Sequence, residues 1–109
     1  MNPAGPVQRQ LDAYNAHDLG RFVAKYSDDI RVFKPPAAEA ILPGKAAFTA
    51  HYANNRSNLP SFRAVVVSRM VVGDKVVDHE RITDLQKDVV EALVVYQVVG
   101  EHIAAVWFY

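Results

Sequence analysis

The stretch that decides the fold is residues 75–83, KVVDHERIT, where ionisable side chains interrupt a valine-rich segment typical of a strand. Charged groups inside a protein are costly unless they are paired, solvated or face a cavity. Because side chains alternate along a strand, His79 and Arg81 share one face, and Asp78 and Glu80 share the other. Both faces are therefore mixed. The segment predicts a curved sheet with a polar-lined hollow on one side.

Length and composition indicate one folded domain over residues 1–109, because half of the residues are hydrophobic. Twelve basic and twelve acidic residues cancel, which argues against binding to nucleic acid or to an anionic membrane surface. No apolar run approaches the roughly 20 residues of a membrane span, and the N-terminal residues do not resemble a signal peptide. The absence of cysteine excludes disulfides and thiolate chemistry. We expect a cytoplasmic protein.

Valine is unevenly distributed, with three in residues 1–62 and fourteen in residues 63–109. This asymmetry predicts helices first and strands later. Val7, Leu11 and Tyr14 recur at helical spacing, and Gln10 lies on the same side. The first helix is therefore expected to be amphipathic.

The middle of the chain predicts two more helices and a short strand. Asp18 is the expected N-cap of a short second helix, whose stripe includes Phe22 and Tyr26. A strand is predicted at 30–34, ended by two prolines, and a loop at 35–43. A third helix is predicted from 43–44 to about 55, and its inner face carries the side chains Phe48, His51 and Tyr52.

Strands are predicted near 62–72, 75–84, 88–98 and 102–109, with turns at 73–74, 84–88 and 100–101. Short turns make consecutive strands antiparallel neighbours. Helices at the front of the chain and a meander at the back predict an α+β domain, with about three N-terminal helices packed on one face of a curved, mostly antiparallel sheet.

This order of elements, with the motifs at 12–19 (DAYNAHDL), 26–32 (YSDDIRV) and 73–81 (GDKVVDHER), resembles the NTF2-like superfamily, in particular its SnoaL-like and ketosteroid-isomerase-like branches. The resemblance covers about residues 7–109. It implies a cone-shaped scaffold around a cavity. Because that scaffold hosts isomerases, dehydratases, cyclases, epoxide hydrolases and proteins without chemistry, it does not specify an activity.

Ketosteroid isomerases of this fold use an aspartate base and an oxyanion hole made of a tyrosine and a protonated aspartate. In the register that the resemblance implies, these three positions fall on Lys34, Gln10 and about Val94. Two auxiliary tyrosines of that branch match Tyr26 and Tyr52. The resemblance therefore implies a similar cavity without the isomerase machinery.

The limonene-epoxide-hydrolase-like branch offers a second template, with Glu-Arg-x-Asp on this strand and another aspartate on the last strand. Glu80 and Arg81 match that motif, but Thr83 and about Phe108 replace the aspartates. Water activation by that route is not expected. The match implies that Arg81, and by alternation His79, point toward the cavity.

His79 is the leading candidate for acid–base chemistry, since its unperturbed pKa suits neutral pH. Arg81 could bind a carboxylate, enolate or phenolate oxygen, and Lys34 could act as a base if it were desolvated. Each also has a structural interpretation: His79 could bridge to a neighbouring element, Arg81 could pair with Glu80 or Asp78, and Lys34 could be a surface residue.

We expect no metal site, because His51 and His79 have no third ligand at metal spacing. The sequence contains no Gly-x-Gly-x-x-Gly, Walker or Gly-x-Ser-x-Gly motif, so nucleotide binding and serine hydrolysis have no support, and no cofactor is expected.

The leading interpretation is a homodimeric pocket protein for a hydrophobic, oxygenated small molecule, which a cofactor-free isomerase or cyclase would act on by proton transfer through His79 and Arg81. The alternative is a non-catalytic dimeric ligand-binding or scaffold domain. A residual hydrolase is a third interpretation, which the missing aspartates oppose. The predicted pocket-lining residues are Gln10, Tyr14, Phe22, Tyr26, Lys34, Phe48, Tyr52, Val94, Tyr96, Val106 and Phe108.

Overall fold

The computed structural model describes residues 3–36, 39–55, 63–83 and 89–109. The helices are α1 (Ala4–Asn15), α2 (Leu19–Ala24) and α3 (Lys45–Asn55). The strands are β1 (Tyr26–Phe33), β2 (Leu42–Pro43), β3 (Arg63–Val72), β4 (Lys75–Thr83), β5 (Val90–Val99) and β6 (His102–Phe108). No helix among these described segments is long and apolar enough to cross a membrane.

The strands form one sheet in the order β2-β1-β6-β5-β4-β3. Strands β3 to β6 are a meander of antiparallel neighbours, while β1 joins β6 in parallel and carries the short β2 at its other edge. Parallel pairing of β1 with β6 requires the chain to cross over through the intervening elements. The first and last strands therefore meet near the middle of the sheet.

All three helices contribute to the core against one face of this sheet, which we call the inner face. Val7 of α1, Phe22 of α2 and Phe48 of α3 are buried together with strand residues such as Val94 and Val106. The second helix is short, and the Asp18 carboxylate caps it by accepting a hydrogen bond of 3.1 Å from the Arg21 backbone N–H. The predicted α+β architecture is confirmed.

The side chain of Asn15 attaches the end of α1 to the sheet. Its Oδ1 accepts from the Ala64 backbone N–H at 2.7 Å, and its Nδ2 donates to the Ala64 carbonyl at 2.8 Å. The amide thus satisfies a backbone donor and acceptor of β3, as a neighbouring strand would. This contact fixes how α1 lies over the inner face.

Two predicted element boundaries are wrong. The first strand begins at Tyr26, not at residue 30, because the exposed Asp28 and Asp29 lie in an irregular part of the pairing with β6. The predicted loop at 35–43 contains β2, which pairs with Arg31 and Val32 of β1. The predicted turn at 84–88 lies outside the described residues.

The predicted orientation of β4 is also wrong. Pairing places Asp78 beside Val94 and Glu80 beside Ala92 on the inner face, where both acidic side chains are buried. His79 and Arg81 consequently lie on the opposite, outer face. The alternation of side chains is as predicted. Asp78 and Glu80 can face the helices because Arg69 compensates the charge of Asp78.

Candidate functional site

A cavity of about 360 Å³ lies between the helices and the inner face of the sheet. Its wall includes apolar and aromatic side chains from α1, α2, β1, β4, β5 and β6. A volume of this size falls within the range of small-molecule sites. The cavity is therefore large enough to hold a compact organic ligand.

Aromatic rings form one side of the cavity. Phe22 lies 4.8 Å from Tyr52, 5.6 Å from Tyr14 and 5.1 Å from Tyr26, measured between ring centroids. Phe48 stacks behind Phe22 at 5.7 Å, with 13° between the ring planes. Such packed rings give large apolar area with well-defined rotamers. They make a rigid apolar wall.

A chain of hydrogen bonds crosses the buried end of the cavity. The Tyr26 hydroxyl donates to Gln10 Oε1 at 2.9 Å, and Gln10 Nε2 donates to the Tyr96 hydroxyl at 3.5 Å. The Tyr96 hydroxyl donates in turn to Glu80 Oε2 at 2.7 Å. Every donor in this chain points toward Glu80. The chain therefore orients the carboxyl group and places positive partial charge beside it.

Burial keeps both phenols of this chain in the protonated, donating form. Desolvation raises the pKa of Tyr26 and the pKa of Tyr96 well above the ordinary value, and the nearby Glu80 raises both further. Tyr96 is consequently a hydrogen-bond donor at any pH near neutrality.

Glu80 is an ionisable group of the cavity whose charge changes near neutral pH. Desolvation raises its pKa to about 7, with a further increase from the Asp78 carboxylate. The hydrogen bond from Tyr96 and the charge of Arg69 act in the opposite direction. Among the described residues, Oε1 of Glu80 has no hydrogen-bond partner. A carboxyl group with one uncommitted oxygen thus borders an apolar cavity.

The neighbouring Asp78 is neutralised by an arginine on the adjacent strand. Arg69 donates from Nε and Nη2 to the two carboxylate oxygens at 2.7 and 2.9 Å, and from Nη1 to Gln8 Oε1 at 2.8 Å. The Asp78 side chain is 1% exposed and the Arg69 side chain 19% exposed. This fork-to-carboxylate pair permits an acidic strand face to lie against the helices.

Lys34 and His51 also line the cavity. Lys34 follows β1, and strand alternation places it on the inner face, since Phe33 before it stacks on Trp107 of the outer face. Lys34 is exposed and makes no ion pair with the described residues. One end of the cavity therefore carries a cationic side chain.

The structure brings most of the predicted pocket residues together. The cavity wall includes Gln10, Tyr14, Phe22, Tyr26, Lys34, Tyr52, Tyr96 and Phe108. Phe48, Val94 and Val106 are buried in the core and do not line this cavity. Their side chains are on the predicted face of their elements but are covered by neighbours.

His79 and Arg81 lie outside the cavity, so the prediction that they line it is wrong. Both side chains bind Oε1 of Glu91 on β5: His79 through Nε2 at 2.9 Å and Arg81 through Nη2 at 3.1 Å. Their side chains are 40% and 50% exposed. This surface cluster lowers the pKa of Glu91, first through the hydrogen bond from His79 and then through that from Arg81.

Sequence reasoning did not place Glu80 at the cavity. The tight turn at 73–74 fixes the register of β3 with β4, and this register places Arg69 opposite Asp78. The arginine opposite Asp78 is the sequence signal that the face of Asp78 and Glu80 can be buried. The prediction instead places the face of His79 and Arg81 toward the cavity.

In the described ranges, no cluster of three or more His, Asp or Glu side chains could hold a metal ion. The cavity is lined by residues that carry carboxyl, phenol, amide, imidazole and ammonium groups.

Comparison with protein families matches residues 7–106 to the SnoaL-like domain. The chain belongs to the SnoaL-like domain family. This assignment agrees with the sequence resemblance and with the geometry above, a helix-covered sheet around an apolar cavity. Comparison with curated proteins finds no match.

Solved structures show the same fold as this SnoaL-like domain at low sequence identity. A cystatin-fold protein from Novosphingobium aromaticivorans has a TM-score of 0.86 and 22% identity, covering 100% of this chain and 98% of that one. Δ5-3-ketosteroid isomerase from Mycobacterium sp. has a TM-score of 0.83 and 18% identity, covering 100% and 93%. A computationally designed 17-OHP binder has a TM-score of 0.84 and 15% identity, covering 100% and 92%.

Proposed function

We propose that this SnoaL-like domain binds an apolar, oxygen-containing small molecule in its cavity and that Glu80 transfers a proton on the bound molecule. The observation that carries the proposal is the position of the Glu80 carboxyl, which is buried, held by Tyr96 at 2.7 Å and adjacent to the cavity. Perturbed carboxyl groups in apolar cavities are candidates for acid–base function. Glu80 thus replaces His79 as the proposed proton-transfer group.

The ionisation of Glu80 suits this role. General acid–base catalysis is most efficient when the pKa of the group lies near the working pH. With a pKa of about 7, the carboxyl is populated in both forms at neutral pH. It can therefore accept a proton from the ligand and return one without a large energetic cost in either direction.

The proposed step is a proton shift beside a carbonyl group. The Glu80 carboxylate removes a proton from the carbon next to the carbonyl; the C–H electron pair forms a carbon–carbon double bond, and the carbonyl π pair moves to oxygen to give an enolate. In a β,γ-unsaturated carbonyl compound this enolate extends to the γ carbon, and return of the proton to that carbon re-forms the carbonyl, leaves an α,β double bond and regenerates the carboxylate. The shift conserves atoms and electrons and needs no redox partner.

Hydrogen exchange of a simple ketone tests this proposal. We expect the protein to accelerate exchange of the C1 protons of 2-tetralone with D₂O near neutral pH, followed by ¹H NMR. The Glu80→Gln substitution should reduce the enzymatic rate by about 10²- to 10⁴-fold, the usual contribution of a general base. Glu101→Gln, in the exposed turn before β6, is the matched control and should not change the rate.

If 2-tetralone binds but its exchange is no faster than in buffer, proton transfer by Glu80 is wrong. The second candidate function, a non-catalytic ligand-binding domain, would then hold. The observation that favours it is that a designed 17-OHP binder has the same fold. In that case Glu80 would serve as a hydrogen-bonding anchor for the ligand.

We also propose that the domain is a homodimer formed through the outer face of the sheet. Phe33 and Trp107 stack on this face at 5.5 Å, and the apolar side chains of Val65 and Leu93 are 49% and 44% exposed. Exposed apolar side chains on one face of a sheet, here beside the charged cluster of His79, Arg81 and Glu91, favour contact with another protein surface. We expect a dimeric mass by light scattering at micromolar concentration, and a monomeric mass for Leu93→Arg. A monomeric wild-type protein would contradict this proposal.

A further inference from the structure

We infer that the ligand of this cavity carries an anionic group, such as a carboxylate, which binds Lys34 at the end of the cavity formed by the C-terminal ends of β1 and β6. This inference rests on the proposed function, because it specifies which class of small molecule the cavity accepts. Its basis is the distribution of charge around the cavity wall.

The two sides of the cavity differ in charge. Glu80 of β4, whose carboxyl is held by Tyr96, borders one side, while the exposed Lys34, which follows β1, borders the other, and β5 and β6 lie between these two strands. The parallel register pairs Val32 with Val106 and Phe33 with Trp107, so the next step places Lys34 beside Phe108, another wall residue. A ligand lying across β5 and β6 would meet the Lys34 ammonium group on one side and the Glu80 carboxyl group on the other.

The cationic charge of Lys34 is not cancelled by the described acidic residues. Lys34 makes no ion pair with them, in contrast to Lys45, which lies 3.5 Å from Asp28, and Lys75, which lies 2.6 Å from Asp74. Glu91 also lines the cavity, but its carboxylate is bound by His79 and Arg81 on the outer face.

An unpaired ammonium beside an apolar wall favours an anionic group over a neutral isostere. The attraction is modest, because Lys34 is solvent-exposed and salt screens it. Repulsion by the partly ionised Glu80 carboxyl on the other side acts in the same sense, since it disfavours placing the anion there. Charge therefore favours an anionic group on the ligand and its placement beside Lys34.

A matched pair of probes tests this inference: 2-naphthylacetate and its neutral analogue 2-naphthylacetamide, with affinities measured by calorimetry at low salt. We expect the wild-type protein to bind the carboxylate about three- to tenfold more tightly than the amide, as an exposed ion pair permits. Lys34→Met should abolish this preference, and retained binding of the amide shows that the variant is folded. Lys34→Arg should retain the preference.

Lys75→Met is the control for net charge, because Lys75 lies at the opposite end of β4 from the cavity residue Ile82. It should not change the preference. Equal binding of both probes to wild type, or a preference that survives in Lys34→Met, would overturn the inference while leaving the proposed function intact. If Glu80→Gln binds the carboxylate more tightly and Lys34→Met has no effect, then the anion lies beside Glu80 and not beside Lys34, and the inference is wrong. Binding of neither probe would contradict the inference and the proposed function together.

Discussion

Replacing Arg69 with leucine is expected to lower the free energy of unfolding by about 3–5 kcal/mol, since it leaves the Asp78 carboxylate buried without a counter-charge. The bidentate contact at 2.7 and 2.9 Å and the 1% exposure of the Asp78 side chain make this loss far larger than that of a surface ion pair. Chemical denaturation at neutral pH measures the effect.

The matched double variant Arg69→Leu/Asp78→Leu separates the charge from the packing. Removing both partners eliminates the uncompensated charge, so it should recover most of the lost stability. Arg63→Leu, an exposed arginine at the start of the same strand, should change the free energy of unfolding by less than about 0.5 kcal/mol. If Arg69→Leu is as stable as Arg63→Leu, then Asp78 is not buried against the helices.

The stability of the protein is expected to fall with rising pH because of Glu80. The folded protein binds more protons at this site than the unfolded chain between the ordinary pKa of 4.5 and the folded value of about 7. The contribution of Glu80 is therefore fully present below about pH 4.5 and is lost as the pH rises through about 7. The shift corresponds to a loss on the order of 3 kcal/mol.

Comparison with Glu80→Gln isolates this contribution from those of the other titrating groups. Between pH 4.5 and 8, the wild-type protein should lose the stability that depends on protonated Glu80, while Glu80→Gln should not. The free energy of unfolding of the variant should therefore rise relative to that of wild type by the same amount. The Glu101→Gln control should follow the wild-type profile. Parallel wild-type and Glu80→Gln profiles would mean that the carboxyl ionises as freely in the folded protein as in the unfolded chain.

Much of the fold could be predicted from local sequence signals, because each depends on a few neighbouring residues. The turn at 73–74 is one example: Gly73 adopts a φ of 59°, which residues other than glycine rarely adopt, and this fixes the β3–β4 hairpin. Asp18 caps the second helix by a contact within that helix. Helix α3 and the four strands of the meander also follow the predicted pattern.

The orientation of β4 could not be predicted from its own sequence. Alternation determines which residues share a face, but not which face meets the helices. That choice depends on Arg69, which neutralises Asp78, and on Tyr96, which donates to Glu80. Arg69 lies across a turn on β3, and Tyr96 lies on β5. The sequence of β4 alone therefore predicts the wrong side chains at the cavity.

The cavity wall was easier to anticipate than its chemistry. Aromatic residues at helical and strand spacing, such as Tyr14, Phe22 and Tyr96, were expected to face inward, and the structure places them on the wall. Val94 and Val106, which are buried in the core, cannot be distinguished in sequence from residues that line the cavity. An apolar residue beside a cavity and one behind its wall follow the same pattern of spacing. Distinguishing them requires the packing of the whole domain.

The position and the ionisation of Glu80 are tested directly by a ¹³C NMR titration of the glutamate side-chain carboxyl carbons, with the Glu80 signal assigned by its absence from the Glu80→Gln spectrum. We predict that this signal titrates with a midpoint close to pH 7, because the carboxyl is buried beside the cavity and near Asp78. A midpoint near the ordinary value of 4.5 would show that Glu80 is solvated, and would contradict both its position at the cavity and its proposed role in proton transfer.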